Sequence, residues 1–288
     1  MTVKIVTDST ADLPASVIEE LGINVVPLYV RFGEKIYRDQ VDISHDEFYQ
    51  KLQHGPVHPN TTQPTPQDFT EVYQRLAGEA DGIVSVHISS KLSGTFNSAA
   101  QGKASVETKC PVEVIDSQVT TMGLGMLAIL AAEAARDGKS LSEVVAVIND
   151  AIPNIHILFF VDTLKYLQLG GRIGKASALL GSILNVKPML ALKDGELLPA
   201  GNVRTRSKGA RRLAEFVSSA TNIEDIAVIY STTPDEARAL VESLDPIFSK
   251  EKITVARLGP VVGVHAGPGT LAVILRGNMP ASNEPVAH

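Results

Sequence analysis

The 288-residue chain has no tryptophan, a single cysteine and few aromatic residues. Aromatic residues make up only 5% of the sequence, so its interior must consist mainly of Val, Ile, Leu and Ala. Cys110 has no second cysteine to pair with, which excludes an internal disulfide and cysteine-rich metal sites. The formal net charge of −6, together with the scarcity of stacking aromatics, argues against nucleic-acid binding.

Long apolar runs are also missing. The apolar segment 124–135 is too short to span a bilayer, and Arg136 and Asp137 end it. A strand-like run begins as early as Val3, so we expect no signal peptide. These features predict a cytoplasmic protein without stable membrane insertion.

What the chain does contain is an alternation of strand-like and helix-like segments, which is typical of α/β proteins. The predicted strands cover residues 3–6, 25–32, 82–88, 112–115, 155–161, 186–192, 226–229, 253–258 and 271–275. Asp194 and Gly195 between apolar runs predict an antiparallel hairpin. The remaining pattern predicts mostly parallel sheets, with a ligand site at the carboxyl ends of the strands.

We place an N-terminal α/β domain at residues 1–153, a C-terminal α/β domain at 154–278 and a flexible tail at 279–288. Several helix boundaries carry local signals. Capping boxes begin at Ser44 and Ser140. Thr65 followed by proline predicts another helix start, and Gly22 predicts a helix end.

Two nucleotide-binding patterns in the sequence do not fit their motifs. Residues 123–128 match G-x-G-x-x-A, but the preceding predicted strand ends near Ile115, so these glycines indicate close helix packing. Residues 170–175 resemble a Walker loop, but the spacing is one residue short and Ala176 stands where a magnesium-binding hydroxyl is needed. None of the seven histidines has metal-ligand spacing. We therefore expect neither a cofactor nor a metal.

Three turn segments carry the remaining chemistry. They are a hydroxyl-rich loop at 61–66, a Ser/Gly turn at 89–95 and a glycine-dense loop at 263–269 that presents one histidine. The Ser/Gly turn follows a strand and precedes a helix, where hydroxyls and free backbone N–H groups can hold an anion. Turn chemistry, a helix cap and a core histidine remain the structural alternatives for these segments.

These segments resemble the DegV family of bacterial fatty-acid-binding proteins, which present acyl chains to a separate fatty acid kinase. The similarity runs from Val3 to about Gly277 and includes the motifs at 6–14, 61–64, 93–95, 162–167, 170–175, 179–188 and 265–269. Position 62 is Thr where the family usually carries Ser, which keeps a hydroxyl there. Ala266 stands where Thr is frequent, so any hydrogen bond made by that side chain is lost.

The resemblance implies a carrier rather than an enzyme, with a long-chain fatty acid as ligand and catalysis in an ATP-dependent partner kinase. The acyl chain would lie in the N-terminal domain, with its head group near the interdomain cleft. The residues that the resemblance assigns to the carboxylate are Thr61, Thr62, Ser93, Gly94, Thr95 and His265.

A basic cluster stands out in this acidic chain. It comprises Arg204, Arg206, Lys208, Arg211 and Arg212. The cluster is either a solvated helix start or, with Arg172 and Lys175, a contact for the kinase or a phosphate. Two alternatives to the carrier remain open. One is an acyl or phosphoryl transferase with Ser93 as nucleophile and His265 as base, and the other is a lipid sensor that signals to a protein partner.

Overall fold

The computed structural model describes residues 2–181 and 186–280, and the strands and helices below refer to these ranges. The strands are β1 Val3–Asp8, β2 Asn24–Val26, β3 Tyr29–Phe32, β4 Lys35–Arg38, β5 Asn60–Thr62, β6 Gly82–His87, β7 Val112–Asp116, β8 Ile155–Phe160, β9 Lys187–Lys193, β10 Glu196–Val203, β11 Thr221–Tyr230, β12 Thr254–Arg257 and β13 Leu271–Asn278. The helices are α1 Ala15–Leu21, α2 His45–His54, α3 Pro66–Ala77, α4 Thr95–Ser105, α5 Met122–Arg136, α6 Leu141–Ala151, α7 Lys165–Leu169, α8 Arg206–Ser218, α9 Pro234–Leu244 and α10 Pro260–Ala266. Residues 182–185 of the family motif and 281–288 of the predicted tail lie outside the described residues.

The N-terminal half forms a four-stranded sheet in the order β2-β1-β6-β7, and every pairing in it is parallel. Strand β1 lies in the interior of this sheet, where Val6 pairs with Asn24 on one side and Ser85 on the other. Strand β6 is buried along its whole length, as strands of parallel sheets covered on both faces usually are. The α/β class and the parallel arrangement of this sheet are confirmed.

The C-terminal half differs from the predicted parallel arrangement. Its six-stranded sheet has the order β10-β9-β8-β13-β11-β12, and only the β11–β12 pairing is parallel. The predicted hairpin is confirmed, since Asp194 and Gly195 have φ angles of 50° and 80° and join β9 to β10. The chain also reverses its direction at α10, because it leaves β12 and enters β13 at the same end of the sheet. The prediction of mostly parallel sheets is therefore wrong for this half.

A third, antiparallel sheet in the order β4-β3-β5 was not predicted. It arises because the predicted strand 25–32 is two strands, β2 and β3, which belong to different sheets. Pro27 separates them, since proline has no N–H for a ladder hydrogen bond. Strand β5 pairs Thr61 with Val30, so the predicted hydroxyl-rich loop begins as a sheet edge.

The predicted helix boundaries follow local capping chemistry. Ser140 and Thr65 form complete capping boxes with Glu143 and Asp68, and α1 ends at Gly22 with a φ of 63°. The box predicted at Ser44 forms only in part, because Ser44 accepts from the backbone N–H of Glu47 without the reciprocal contact.

Helix α5 packs between the two larger sheets and joins their cores. Ten of its 15 residues are buried. A Cβ on Gly123 would stand 3.1 Å from Ile157 Cδ1, and one on Gly125 would stand 2.8 Å from the carbonyl oxygen of Ala11. The glycines at 123–128 thus serve close packing, as the sequence indicated. A single apolar cluster contains α5 residues together with residues of both sheets.

The predicted boundary between residues 153 and 154 falls in a short 3-10 helix, Ile152–Asn154, directly before β8. Because the apolar cluster crosses that boundary, the division into two domains stays a prediction. In the part of the chain that the structure describes, no helix combines the length and the apolar character required to cross a bilayer.

Candidate functional site

A cavity of about 250 Å³ lies between the carboxyl edge of the four-stranded sheet and one face of the six-stranded sheet. On the first side, Leu28, Ile88 and Thr120 contribute to its lining, and they follow the ends of β2, β6 and β7. Open parallel sheets usually bind ligands at this edge. The predicted location at the carboxyl ends of the strands therefore coincides with a cavity.

The second side of the cavity is a row of apolar side chains on neighbouring strands. Register pairs Ile157 with Leu192 and Leu192 with Leu197, and all three line the cavity. Phe159 pairs with Ala272, and Ala272 pairs with Ile229, which continues the same face. Most of the apolar wall thus comes from the C-terminal half, whereas the resemblance placed the acyl chain in the N-terminal domain.

The polar part of the lining combines hydroxyl, amide, imidazole and guanidinium groups. These residues are Thr61, Thr62, Gln63, Ser93, Thr120, Thr121, Arg172, His265 and Thr270. Among the described residues, no Asp or Glu contributes to the lining. A cavity with hydrogen-bond donors, one guanidinium and no carboxylate favours an anionic group attached to an apolar body.

His265 lies in the last turn of α10, and not in a loop as its glycine-rich surroundings predicted. Gly259 is the N-cap of α10, Pro260 occupies the first helical position, and Gly267 ends the helix with a φ of 78°. The imidazole Nε2 of His265 lies 2.9 Å from the hydroxyl of Thr61 on β5. This contact joins the predicted loops at 61–66 and 263–269 across the cavity.

The imidazole of His265 is held in its neutral form. Burial, and secondarily the positive charge of Arg172, lowers the pKa of His265 to about 4. A neutral ring offers one N–H donor and one acceptor nitrogen. Its Nδ1 is buried and has no hydrogen-bond partner among the described residues. His265 therefore retains a polar atom that the protein itself does not satisfy.

Ser93 lies in the predicted Ser/Gly turn between β6 and α4. Its backbone N–H donates to the carbonyl of Ser89, and its hydroxyl lies 2.9 Å from the hydroxyl of Thr95. Gly94 is the N-cap of α4. A Cβ on Gly94 would stand 2.2 Å from the side-chain oxygen of Gln63, so glycine permits the amide to pack over the turn. Ser93 lines the cavity, whereas Gly94 and Thr95 do not contribute to its lining.

Arg172 belongs to the cavity, although the sequence assigned it to a partner or a phosphate. Its guanidinium donates to the carbonyl of Gly170 at 2.8 Å and to the carbonyl of Leu92 at 3.2 Å. These two bonds join the 170–175 segment to the turn that carries Ser93. The same bonds bring a positive charge close to His265.

The other predicted basic contacts lie outside the cavity lining. Lys175 pairs with Glu196 at 3.0 Å on the surface, and Arg204 is exposed. Arg206 is already engaged by Glu236, by Asp162 and by the carbonyl of Gly269, and its guanidinium stacks on the ring of Phe160. Arg206 is thus held by several groups of the chain itself, and its role as a partner or phosphate contact stays a prediction.

The nucleophile and base of the transferase alternative are not hydrogen-bonded to each other. His265 pairs with Thr61, while Ser93 pairs with Thr95. A different set, Ser85, His87 and Asp8, does have the order of a catalytic triad. His87 lies 2.6 Å from the Ser85 hydroxyl and 3.0 Å from an Asp8 oxygen. All three side chains are fully buried, so the set stabilises the fold and no substrate reaches it.

Sequence reasoning missed several lining residues. Gln63 follows Thr61 and Thr62 in the same motif, and its position there could have indicated its role. Thr120 and Thr121 lie just after a predicted strand, but nothing distinguishes them from ordinary turn residues. Within residues 2–181 and 186–280, no group of three or more His, Cys, Asp or Glu side chains is placed to hold a metal ion.

Comparisons with known proteins agree with this geometry. The sequence model described as "Uncharacterised protein, DegV family" matches residues 2–277. The DegV domain-containing protein SCO2569 of Streptomyces coelicolor is 42% identical over 278 residues, which cover 95% of this chain and 98% of that protein.

Two solved structures are similar over nearly the whole chain. A fatty-acid-binding DegV family protein from Thermus thermophilus superposes with a TM-score of 0.89 at 39% identity, covering 96% of this chain and 100% of that one. A stearic acid-binding protein from Eubacterium ventriosum superposes with a TM-score of 0.86 at 28% identity, covering 95% and 98% of the two chains.

Proposed function

This chain belongs to the DegV family, and from that premise we propose that it binds one long-chain fatty acid in the cavity between its two larger sheets. The acyl chain lies along the apolar face that includes Ile157, Phe159 and Leu192. The carboxylate lies at the opposite, polar part of the cavity, where it meets the hydroxyl groups of Thr61, Thr62 and Ser93 together with Arg172 and His265.

The observation that carries this proposal is the set of hydroxyl, imidazole and guanidinium groups that line one part of an otherwise apolar cavity, to which none of the described residues contributes a carboxylate. Burying an unpaired carboxylate costs many kcal/mol, so an anion enters such a cavity only where several donors meet it. Each methylene that leaves water contributes about 0.8 kcal/mol, or roughly 12 kcal/mol for fifteen of them before the costs of association.

The test is the identification of co-purifying lipid. The purified protein is denatured, extracted with solvent and analysed by mass spectrometry, and we expect about one fatty acid per chain. Absence of a fatty acid, together with no binding of added palmitate, would contradict the proposal. Ser93→Ala should lower palmitate affinity by about tenfold or more, since a hydrogen bond to a charged group contributes about 1.5–3 kcal/mol. Ser90→Ala, an exposed serine in the same turn, is the matched control.

We further propose that the bound carboxylate is presented to an ATP-dependent kinase, which forms the acyl phosphate. The resemblance to the family and the exposed cations Arg204 and Lys208 support this step. Charge reversal at both positions should reduce acyl-phosphate formation by the purified kinase while leaving the fatty acid content unchanged. Unchanged turnover would contradict this docking role. Arg206 is unsuitable for the test because its substitution would also remove its hydrogen bonds to Asp162 and to the carbonyl of Gly269.

The transferase alternative makes a different prediction for the same protein. A loaded chain would release a transformed product in a single turnover without any partner, and Ser93→Ala would abolish that release. The carrier releases only unmodified fatty acid under those conditions. The sensor alternative predicts a lipid-dependent protein partner that does not consume ATP.

A further inference from the structure

Helix α10 begins without a side chain of its own to cap it. Gly259 is its N-cap, and Pro260 in the first position has no backbone N–H. A Cβ on Gly259 would stand 2.5 Å from an oxygen of Asp12, which leaves no room for a local capping side chain. The free N–H groups at this helix start must therefore find acceptors elsewhere in the protein.

Two carboxylates from the N-terminal half supply those acceptors. Asp12 accepts from the backbone N–H of Gly259 at 3.0 Å, and Asp39 accepts from the backbone N–H of Val261 at 3.3 Å. The two aspartates are separated from their donors by 247 and 222 residues in sequence. Both are almost completely buried, with relative exposures of 4% and 1%. The cap thus joins the two halves of the chain directly beside the cavity.

The aspartates are themselves fixed by the N-terminal half. The hydroxyl of Thr121 donates to Asp12 at 2.6 Å, and the side-chain amide of Gln40 contacts the same carboxylate at 3.4 Å. The backbone N–H of Asp39 donates to the carbonyl of Leu28 at 2.8 Å. Thr121 and Leu28 also line the cavity. One polar network therefore connects the cavity wall to the start of α10.

The same helix carries Val261, Val262, His265 and Ala266, and all four line the cavity. At 1.5 Å per residue, His265 lies only about 6 Å along the helix axis from Val261. Any shift of the helix start therefore moves the imidazole relative to Thr61. We propose that Asp12 and Asp39 are positioning residues that hold α10, and through it His265, in the geometry that receives the carboxylate. This proposal rests on the proposed fatty-acid binding.

The two aspartates act as hydrogen-bond acceptors, and their charge is not needed for this role. Burial raises the pKa of Asp12 well above its usual range and that of Asp39 to about 7. The negative charges of Asp39 and Asp8 further raise the pKa of Asp12, and that of Asp8 further raises the pKa of Asp39. One oxygen of Asp39 has no partner among the described residues. An asparagine keeps the acceptor oxygen, so Asp→Asn should preserve the cap, whereas Asp→Ala should remove it.

The experiment compares Asp39→Ala, Asp39→Asn and Asp12→Asn with the unmodified chain. Asparagine is preferred at position 12, because Asp12 has a φ of 50°, which alanine adopts poorly. Ser140→Ala removes a helix cap far from the cavity and is the control for general destabilisation. Two quantities are measured, namely palmitate affinity and the ¹⁵N shifts of the His265 ring in lipid-free protein. The ring shifts do not depend on lipid binding, so failure of the proposed function is distinguishable from failure of this proposal.

We expect Asp39→Ala to weaken palmitate binding by about tenfold and to shift the His265 ring resonances. The two asparagine variants should stay within about twofold of the unmodified affinity, and Ser140→Ala should change neither quantity. In a His265→Ala background, Asp39→Ala should have little additional effect on affinity, because the two residues act in series. Unaltered His265 resonances in Asp39→Ala would overturn the proposal. The proposal would also be overturned if Asp39→Ala reduced palmitate affinity as much in the His265→Ala background as it does in the unmodified chain.

Discussion

Gly170 lies so close to the imidazole of His265 that a Cβ at position 170 would stand 2.0 Å from Nδ1. The φ angle of Gly170 is −79°, which any residue adopts, so the contact and not the backbone conformation calls for glycine. The glycine that resembled part of a nucleotide loop therefore belongs to the candidate carboxylate site.

The first prediction concerns this contact. Gly170→Ala should displace the His265 ring and weaken palmitate binding by about tenfold, which corresponds to roughly one hydrogen bond. The free energy of unfolding should also fall by about 1–3 kcal/mol, because the added carbon overpacks this site and strains the contact between His265 and Thr61. Gly78→Ala is the matched control, because its added carbon would meet nothing closer than 3.7 Å. Competition against a fluorescent fatty acid measures both, and equal affinities for the two variants would contradict a role of Gly170 at the site.

Stability below neutral pH should depend on His265. Its pKa in the folded protein is about 4, below the usual 6.5, so the unfolded chain binds a proton that the folded chain excludes. The stabilising contribution is complete above pH 6.5 and is lost as the pH falls toward 4, by up to about 3 kcal/mol.

Urea unfolding of lipid-free protein at pH 7 and pH 4.5 measures this loss of stability at low pH. His265→Asn should lose less stability between the two pH values than the unmodified chain does. His54→Asn, which alters an exposed histidine, should follow the unmodified chain. An identical pH dependence in the His265→Asn variant would show that the imidazole is not excluded from protonation.

The sequence predicts those features of the fold that depend on local chemistry. Capping residues located α3 and α6, and the Asp194–Gly195 pair located the β9–β10 hairpin. The direction of the strands in the second sheet depends on pairings between distant segments, which no local pattern records. Short α10 was missed because seven residues between glycines give no helical periodicity.

The candidate site was likewise predictable only in its local features. The hydroxyl and histidine residues stood out because turns rich in Ser, Thr and Gly are not explained by packing alone. The apolar wall could not be predicted, because a leucine that lines a cavity has the same sequence pattern as one in the core. Arg172 was noticed, but its bond to the carbonyl of Leu92 depends on a contact between segments 80 residues apart.

Arg172 should influence both the ligand and the histidine. Arg172→Gln removes the charge that helps to lower the pKa of His265, so that pKa should rise. It also removes two bonds and a counter-charge for the carboxylate, so palmitate affinity should fall by tenfold or more. Lys175→Gln, which alters an exposed lysine paired with Glu196, should leave both quantities unchanged. An NMR titration of the His265 ring and a competition assay measure them, and an unaltered pKa would refute the coupling.

The buried hydrogen-bond network that runs from Tyr73 to Asp8 should matter for the stability of the protein more than for fatty-acid binding. The hydroxyl of Tyr73 donates to Ser85 at 2.8 Å, and Ser85 continues through His87 to Asp8. Asp8 in turn accepts from the backbone N–H of Ile88, which lines the cavity. Tyr73→Phe removes one buried donor while the contacts of Asp8 remain. The free energy of unfolding should therefore fall by about 1–2 kcal/mol, while palmitate affinity changes by less than about twofold.

Urea denaturation of lipid-free protein provides the first of these quantities. Tyr37→Phe is the control, because the Tyr37 hydroxyl has no hydrogen-bond partner in the part of the chain that the structure describes and only its ring makes a packing contact. That variant should retain the full stability. If Tyr73→Phe were as stable as the control, the hydroxyl would contribute nothing to the network. If it instead lost affinity without losing stability, the network would belong to the binding site and not to the framework that supports it.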